Sequence, residues 1–214
     1  MATPTPSLTR LDAPGTPGSV ILMLHGGKPR SHDLVDNRSA SWQRSAWMAR
    51  AIEGRAHEAG ASVWLLRYRE RGWNGGGDRT EDARAALDEV RAAHGRVSVV
   101  LLGHSMGARV AVHVADHPSV TGVVALAPWW SEADPVRRLA GRTLIAAHGR
   151  RDRITSFTHT RRFVERARSV ATSAELVDMG MLGHYMLGRA DRWNEVAVES
   201  SLRILAPGTR TPTD

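Results

Sequence analysis

Short runs of apolar residues alternate along this chain with longer segments in which apolar residues recur every three or four positions. The short runs predict buried strands, because a strand covered on both faces needs no polar positions. Predicted strands occupy residues 20–24, 63–68, 97–102, 120–127, 143–147 and 174–177. The longer segments predict amphipathic helices. These comprise residues 42–59, a segment capped by Thr80 and ended by Gly95, and residues 106–116, 156–169 and 191–205.

This alternation predicts an α/β fold with an open, doubly wound, mostly parallel sheet of about six strands and helices on both faces. We place one domain at residues 18–207, between a flexible N-terminal segment at 1–17 and a flexible tail at 208–214, because both ends are rich in Pro and Thr. At most residues 8–13 supply a further strand. Functional residues are expected at the C-terminal ends of the parallel strands.

Composition narrows the classes of partner. The formal net charge of +7 favours contact with anions. Lys28 is the only lysine, however, and arginines are spread through every segment rather than gathered in one stripe. With no zinc-finger spacing or aromatic RNA-binding motif, we predict no nucleic-acid partner. No apolar run approaches the roughly 18 residues that cross a bilayer, and the start lacks a secretory apolar core, so we expect no membrane partner and a cytoplasmic location.

The strongest local signal is Gly103-His104-Ser105-Met106-Gly107, which fits the pattern G-x-S-x-G. A nucleophile elbow requires a buried strand before this motif, a helix after it and small residues where the backbones crowd together. The predicted strand at 97–102 and helix at 106–116 satisfy the first two requirements, and Gly103 and Gly107 the third. Ser105 is therefore the candidate nucleophile.

A serine hydroxyl becomes nucleophilic when a histidine takes its proton and an acid orients that histidine. His184 follows the last predicted strand after a short loop containing glycines, so we assign it as the base. Asp152, just beyond the fifth strand, is the candidate acid. Three other aspartates are less well placed, at a helix end, in a connector and at the end of the last strand. They are Asp116, Asp134 and Asp178.

Two backbone N–H groups are candidates for an oxyanion hole. Met106 directly follows the nucleophile at a helix N-terminus. Gly27 lies in the loop after the first strand, and its missing Cβ would let a substrate oxygen approach. A glycine turn without a catalytic role is the alternative for Gly27. His25 is expected to be a structural hydrogen-bonding residue beneath this loop.

The combination L-H-G-G, G-H-S-M-G, H-G-R-R-D and G-H-Y resembles the α/β-hydrolase superfamily over residues 20–205, most of all its small esterase and dienelactone-hydrolase-like members. The resemblance implies acyl-enzyme catalysis: Ser105 attacks a carbonyl, His184 shuttles the proton and water releases the acid. Larger members have more antiparallel strands at the start, and the connector at 128–142 is too short for a cap domain. The site should therefore be open and favour short acyl chains.

Bulky side chains in the loops suggest an apolar pocket for a small-molecule ester or acyl substrate, although ordinary packing explains any one of them equally well. They are Trp73, Trp129, Trp130, Met181 and Tyr185. The arginines around the proposed acid are better explained as solvated charges than as a substrate clamp. They are Arg150, Arg151 and Arg153.

Three functional hypotheses remain open at this point. The first is a serine esterase or related acyl hydrolase. The second keeps the same triad in an acyltransferase, thioesterase or carbon–carbon hydrolase. The third is a non-catalytic binding protein with a hydrolase fold. No metal-ligand spacing occurs in the sequence, so we predict neither a metal nor another cofactor. The sequence gives no indication of the oligomeric state.

Overall fold

The structure, a computed structural model, describes residues 5–206, so the predicted tail at 208–214 lies outside the described residues. Within that range the chain forms one sheet with helices on both of its faces. The strands are β1 (Ser7–Leu11), β2 (Ser19–Leu24), β3 (Ala61–Arg67), β4 (Ser98–His104), β5 (Val120–Leu126), β6 (Thr143–His148) and β7 (Ser173–Asp178). The helices are α1 (Ala40–Glu58), α2 (Gly77–His94), α3 (Met106–Val114), α4 (Phe157–Ala167) and α5 (Ala190–Leu205).

The strands lie in the order β1-β3-β2-β4-β5-β6-β7. All neighbouring pairs are parallel except β1 and β3, which are antiparallel. The chain leaves β2 toward one edge of the sheet and returns at β4 to build the other half. The strand order therefore reverses between β2 and β4, which is where open α/β sheets form their binding crevices.

Alternate residues of the central strands enter two separate cores. Leu22 and Leu101 face the layer that contains α2, α3 and α4. Ile21 and Val100 face the opposite layer, which α1 and α5 cover. All four side chains are fully buried. Each contributes about 1.5–3 kcal/mol through removal from water. Burial on both faces explains why these strands are continuous apolar runs.

The predicted α/β fold is confirmed, with one added strand and small shifts in the bounds of several elements. Strand β1 lies inside the segment 1–17 that the sequence analysis placed outside the domain, because its backbone pairs with β3 from Ser7↔Arg67 to Leu11↔Val63. Helix α2 begins at Gly77 rather than after Thr80, whose hydroxyl instead donates to the Gly77 carbonyl. Helix α3 ends at Val114, two residues earlier than expected.

No cap domain covers the sheet within residues 5–206. The connector at 128–142 forms only a single 3₁₀ turn, Arg137–Leu139. The loops that follow β2, β4, β6 and β7 meet at the open edge above the strand C-termini. In the described part of the chain, no helix combines the length and the apolar character needed to cross a membrane.

Candidate active site

Ser105 lies at a sharp turn between β4 and α3. Its backbone has φ 53° and ψ −113°, in the left-handed half of conformational space that non-glycine residues rarely adopt. The turn is held by two close approaches: a Cβ on Gly103 would lie 2.5 Å from the Ala108 backbone, and one on Gly107 would lie 1.9 Å from the Leu24 carbonyl oxygen. Glycine at both positions lets helix and strands pack closely and leaves the Ser105 hydroxyl at the tip.

His184 reaches this hydroxyl from the loop after β7. Its Nε2 lies 3.0 Å from Ser105 Oγ, and its Nδ1 lies 2.8 Å from Asp152 Oδ2. A carboxylate only accepts hydrogen bonds, so Nδ1 carries the hydrogen and Nε2 is left to accept the serine proton. The structure thus brings the three residues of the predicted triad into one hydrogen-bonded chain.

Asp152 is a buried carboxylate with an unusually full set of donors. Its Oδ1 accepts the amides of Ile154 and Thr155, each at 2.8 Å, and its Oδ2 accepts the Thr155 hydroxyl at 2.9 Å in addition to His184. Burial acts to raise the pKa of Asp152, but hydrogen bonds from His148, His184 and the two amides outweigh it and hold that pKa well below its usual range. The carboxylate is therefore ionised whenever the site is folded at neutral pH.

His148 is a member of this network that the sequence analysis did not assign. The side chain is fully buried at the end of β6, and its Nε2 lies 3.2 Å from Asp152 Oδ2. Its Nδ1 lies 2.7 Å from the Thr160 hydroxyl, which can donate to it. The i,i+4 spacing of His148 and Asp152 in H-G-R-R-D was the available signal, but only the fold shows that both side chains turn to the same side.

Two further histidines under the site are held neutral. Burial lowers the pKa of His25 to about 4, and burial followed by the nearby charge of His184 lowers that of His104 to about 3. His25 donates from Nδ1 to the Gly26 carbonyl and accepts the Tyr68 amide at Nε2, which agrees with its expected structural role. His104 donates from Nε2 to the His184 carbonyl at 3.1 Å and so supports the loop that holds the proposed base.

These two histidines predict a loss of stability in mild acid. The unfolded state protonates them near pH 6.5, whereas the folded state resists protonation until about pH 4 for His25 and about pH 3 for His104. The unfolded state therefore binds more protons below pH 6.5. Each residue should lower the free energy of unfolding by about 1.4 kcal/mol per pH unit over that window.

Urea unfolding between pH 7.5 and 4.5 measures this slope. The His25→Asn variant, whose amide can both donate and accept, should lose about half of the slope contributed by the pair, and the exposed His159→Asn should keep the wild-type slope. An unchanged slope in His25→Asn would contradict the assignment.

The two predicted oxyanion donors lie close to Ser105: Met106 follows it in the chain, and Gly27 lines the same cavity. Met106 begins α3, so its N–H is free of helical bonding, and within residues 5–206 the Gly27 N–H also has no hydrogen-bond partner. Gly26 and Gly27 both line the cavity that contains Ser105. Glycine is required at 27 by the protein itself and not, as predicted, by the approach of a substrate oxygen. A Cβ there would meet the Arg71 carbonyl at 2.4 Å and the Met106 side chain at 2.5 Å.

The cavity at Ser105 has a volume of about 360 Å³ and is formed by loops and the start of α1. Of the five predicted substrate-binding side chains, only Tyr185 lines it. Helix α1 also lines the cavity, and its residues were not predicted because α1 reaches the site only through tertiary packing. They are Ala40, Ser41, Gln43, Arg44 and Trp47. Leu187, from the loop before α5, lines the cavity as well and was not predicted either.

The other predicted pocket residues lie elsewhere. Trp130 is a core residue that is 3% exposed, stacks on Phe163 and donates from its indole to the Ala108 carbonyl. Met181 is 68% exposed and does not line the cavity. Trp73 and Trp129 line a second cavity next to the first.

In the stretch from residue 5 to 206, no three His, Cys, Asp or Glu side chains form a group that could hold a metal ion.

Part of this chain matches a known protein family. The family model described as serine aminopeptidase, S33, matches residues 16–147, a stretch that includes Ser105 and ends before Asp152 and His184. None of the curated proteins matches the chain.

Several solved structures are similar to this chain over nearly all of its length. An α/β serine hydrolase homologue from Coxiella burnetii is 20% identical, with 91% of each chain covered and a TM-score of 0.70. A serine hydrolase without lid from Xanthomonas campestris is 20% identical, with 97% of each chain covered and a TM-score of 0.68. A monoacylglycerol lipase from Paleococcus ferrophilus is 14% identical, covering 94% of this chain and 99% of its own, with a TM-score of 0.68. At these identities the likeness establishes the fold, including the missing lid.

Proposed function

The chain belongs to the serine aminopeptidase S33 family of α/β-hydrolases, and from that premise we propose that it is a serine hydrolase cleaving carboxylic esters through an acyl-enzyme on Ser105. The observation that supports the proposal most directly is the continuous hydrogen-bonded chain from Ser105 Oγ through His184 to Asp152, at 3.0 and 2.8 Å. These distances lie within the range in which a base can take a proton from a nucleophile.

The proposed reaction has two halves, and His184 acts first as a base and then as an acid in each of them. Ser105 Oγ attacks the ester carbonyl while its proton passes to His184 Nε2, and the oxygen of the tetrahedral intermediate accepts the N–H groups of Gly27 and Met106. His184 then protonates the leaving alcohol as the acyl-enzyme forms. In the second half, water gives a proton to His184 and attacks the acyl carbon, and the carboxylic acid leaves as Ser105 regains its proton.

The charges around the cavity favour an ester as the substrate over a peptide with a free α-amino group. An aminopeptidase must bind the free α-amino group of its substrate, which calls for a carboxylate near the nucleophile. The lining of the Ser105 cavity contains the arginine Arg44 and no Asp or Glu among the described residues. The fold likeness to a monoacylglycerol lipase agrees with ester chemistry.

Labelling with a fluorophosphonate probe tests the proposal. The probe should react with one serine per chain in the wild-type protein, and Ser105→Ala should remove the label completely, because it removes the hydroxyl that His184 activates. The exposed Ser169→Ala should label like the wild type. Labelling that persists in Ser105→Ala, or a wild-type protein that does not label, would contradict an activated serine here.

A series of p-nitrophenyl esters then measures the acyl preference. With about 360 Å³ in the cavity and no cap over it, we expect kcat/KM to be highest for acetate to butyrate and to fall for longer chains. Faster turnover of octanoate or longer esters would contradict this expectation.

A further inference from the structure

A second cavity of about 830 Å³ lies next to the one that contains Ser105. Its size falls within the range of small-molecule sites. Two indoles, two guanidinium groups and two other polar side chains line it. They are Trp73, Trp129, Arg30, Arg109, His32 and Asn74.

This second cavity is joined to Ser105 by short stretches of backbone. The Trp129 amide donates to the Ser105 carbonyl at 3.2 Å, and Arg109 lies one helical turn beyond Ser105, with its amide 3.3 Å from the same carbonyl. The loop after β2 lines the first cavity with Gly27 and the second with Arg30, three residues later. The two cavities therefore share the loop after β2 and the segment around Ser105.

Arg109 is fixed between the two indoles. Its guanidinium carbon lies 4.6 Å from the Trp73 ring centroid and 4.8 Å from that of Trp129. Its Nε donates at 2.8 Å to Asp134, which is buried behind it. Within residues 5–206 the Nη1 atom of Arg109 has no hydrogen-bond partner, so its N–H groups can donate to a ligand.

One guanidinium group in the cavity lining lies outside any ion pair. Asp134 offsets the charge of Arg109, but Arg30 is exposed and has no ion-pair partner in the described part of the chain. Glu70 is hydrogen bonded to the lining residues Asn74 and His32 and does not itself line the cavity. Guanidinium groups favour the planar geometry of carboxylates, and indoles also pair edge-to-face with aromatic rings.

We propose that this cavity binds an aromatic carboxylate. Arg30 and the Nη1 end of Arg109 supply charge-assisted hydrogen bonds to the carboxylate. Trp73 and Trp129 supply contacts to its ring.

Binding is tested without turnover, using Ser105→Ala and benzoate as the probe. Indole N–H signals in ¹H–¹⁵N spectra are assigned with Trp73→Phe and Trp129→Phe. Benzoate should shift these two signals saturably, and benzamide should bind about tenfold more weakly, because charge-assisted hydrogen bonds are the stronger ones. If neither signal shifts, or if benzamide binds as tightly as benzoate, the proposed carboxylate site is wrong.

Charge variants test the role of the cavity's arginines. Arg30→Gln should weaken benzoate binding about fivefold, whereas Arg96→Gln, an exposed change at the opposite end of the sheet, should leave it unchanged. Arg109 is kept intact because its removal would leave Asp134 buried and unpaired. An Arg30→Gln protein that binds benzoate as well as Arg96→Gln does would overturn the electrostatic argument.

Discussion

Asp152→Asn is expected to lower kcat for ester hydrolysis by about 10⁴-fold. An asparagine keeps the size of the side chain but presents an N–H₂ or a weaker acceptor to His184 Nδ1, now 2.8 Å from a carboxylate oxygen. The imidazole then favours the tautomer with hydrogen on Nε2, which cannot accept the serine proton. The loss should appear in kcat and in kcat/KM alike, because the interaction acts mainly in the transition state.

Asp178→Asn provides the matched control. Asp178 also lies at the C-terminal end of a strand and was a competing acid in the sequence, but it is exposed and pairs with Arg150. Its change should alter kcat less than about twofold, since exposed ion pairs contribute little. If Asp152→Asn kept more than a tenth of the wild-type kcat, or if the two variants behaved alike, the role of Asp152 as the orienting acid would be wrong.

Gly107→Ala is expected to lower the free energy of unfolding by about 3 kcal/mol or more. The added Cβ would lie 1.9 Å from the Leu24 carbonyl oxygen and 2.8 Å from that of His25, and backbone atoms of a central strand cannot move aside as a side chain can. For a domain of this size, such a loss corresponds to a fall in Tm of about 6–12 °C. Thermal unfolding and urea titration measure it.

The control for this change is Gly54→Ala in helix α1. A Cβ there meets nothing within 4 Å, and glycine inside a helix lowers its stability, so the variant should gain about 0.5–1 kcal/mol. An alanine at 107 with wild-type stability would show that the turn after Ser105 can widen, and the strained conformation of Ser105 would then need another explanation.

Features encoded by contiguous residues were predictable from the sequence. The strand, elbow and helix around Ser105 form one local pattern, and the crossover rules place the ends of β6 and β7 at the same edge as β4. The positions of Asp152 and His184 follow from that arrangement. The hydrogen bonds that join them confirm that the side chains meet.

Side-chain direction in irregular segments was not predictable. Trp129 and Trp130 follow β5 side by side, and adjacent residues in an extended chain point to opposite sides. Trp129 faces a cavity, whereas Trp130 stacks on Phe163 in the core. Trp47 was missed for a different reason. It lies near Ser105 only because α1 packs against a part of the chain more than 50 residues away in sequence. Only the tertiary structure contains that information.

The antiparallel pairing of β1 has a practical consequence for anyone who shortens this protein. Strand β3 reads Ala-Ser-Val-Trp-Leu-Leu-Arg, and β1 occupies its outer hydrogen-bonding side along five residue pairs. A chain trimmed to begin at residue 18 would present that apolar ladder to other molecules. Exposed strand edges of this type pair with strands of other molecules and lead to aggregation. The short strand β1 prevents this by covering the edge of β3.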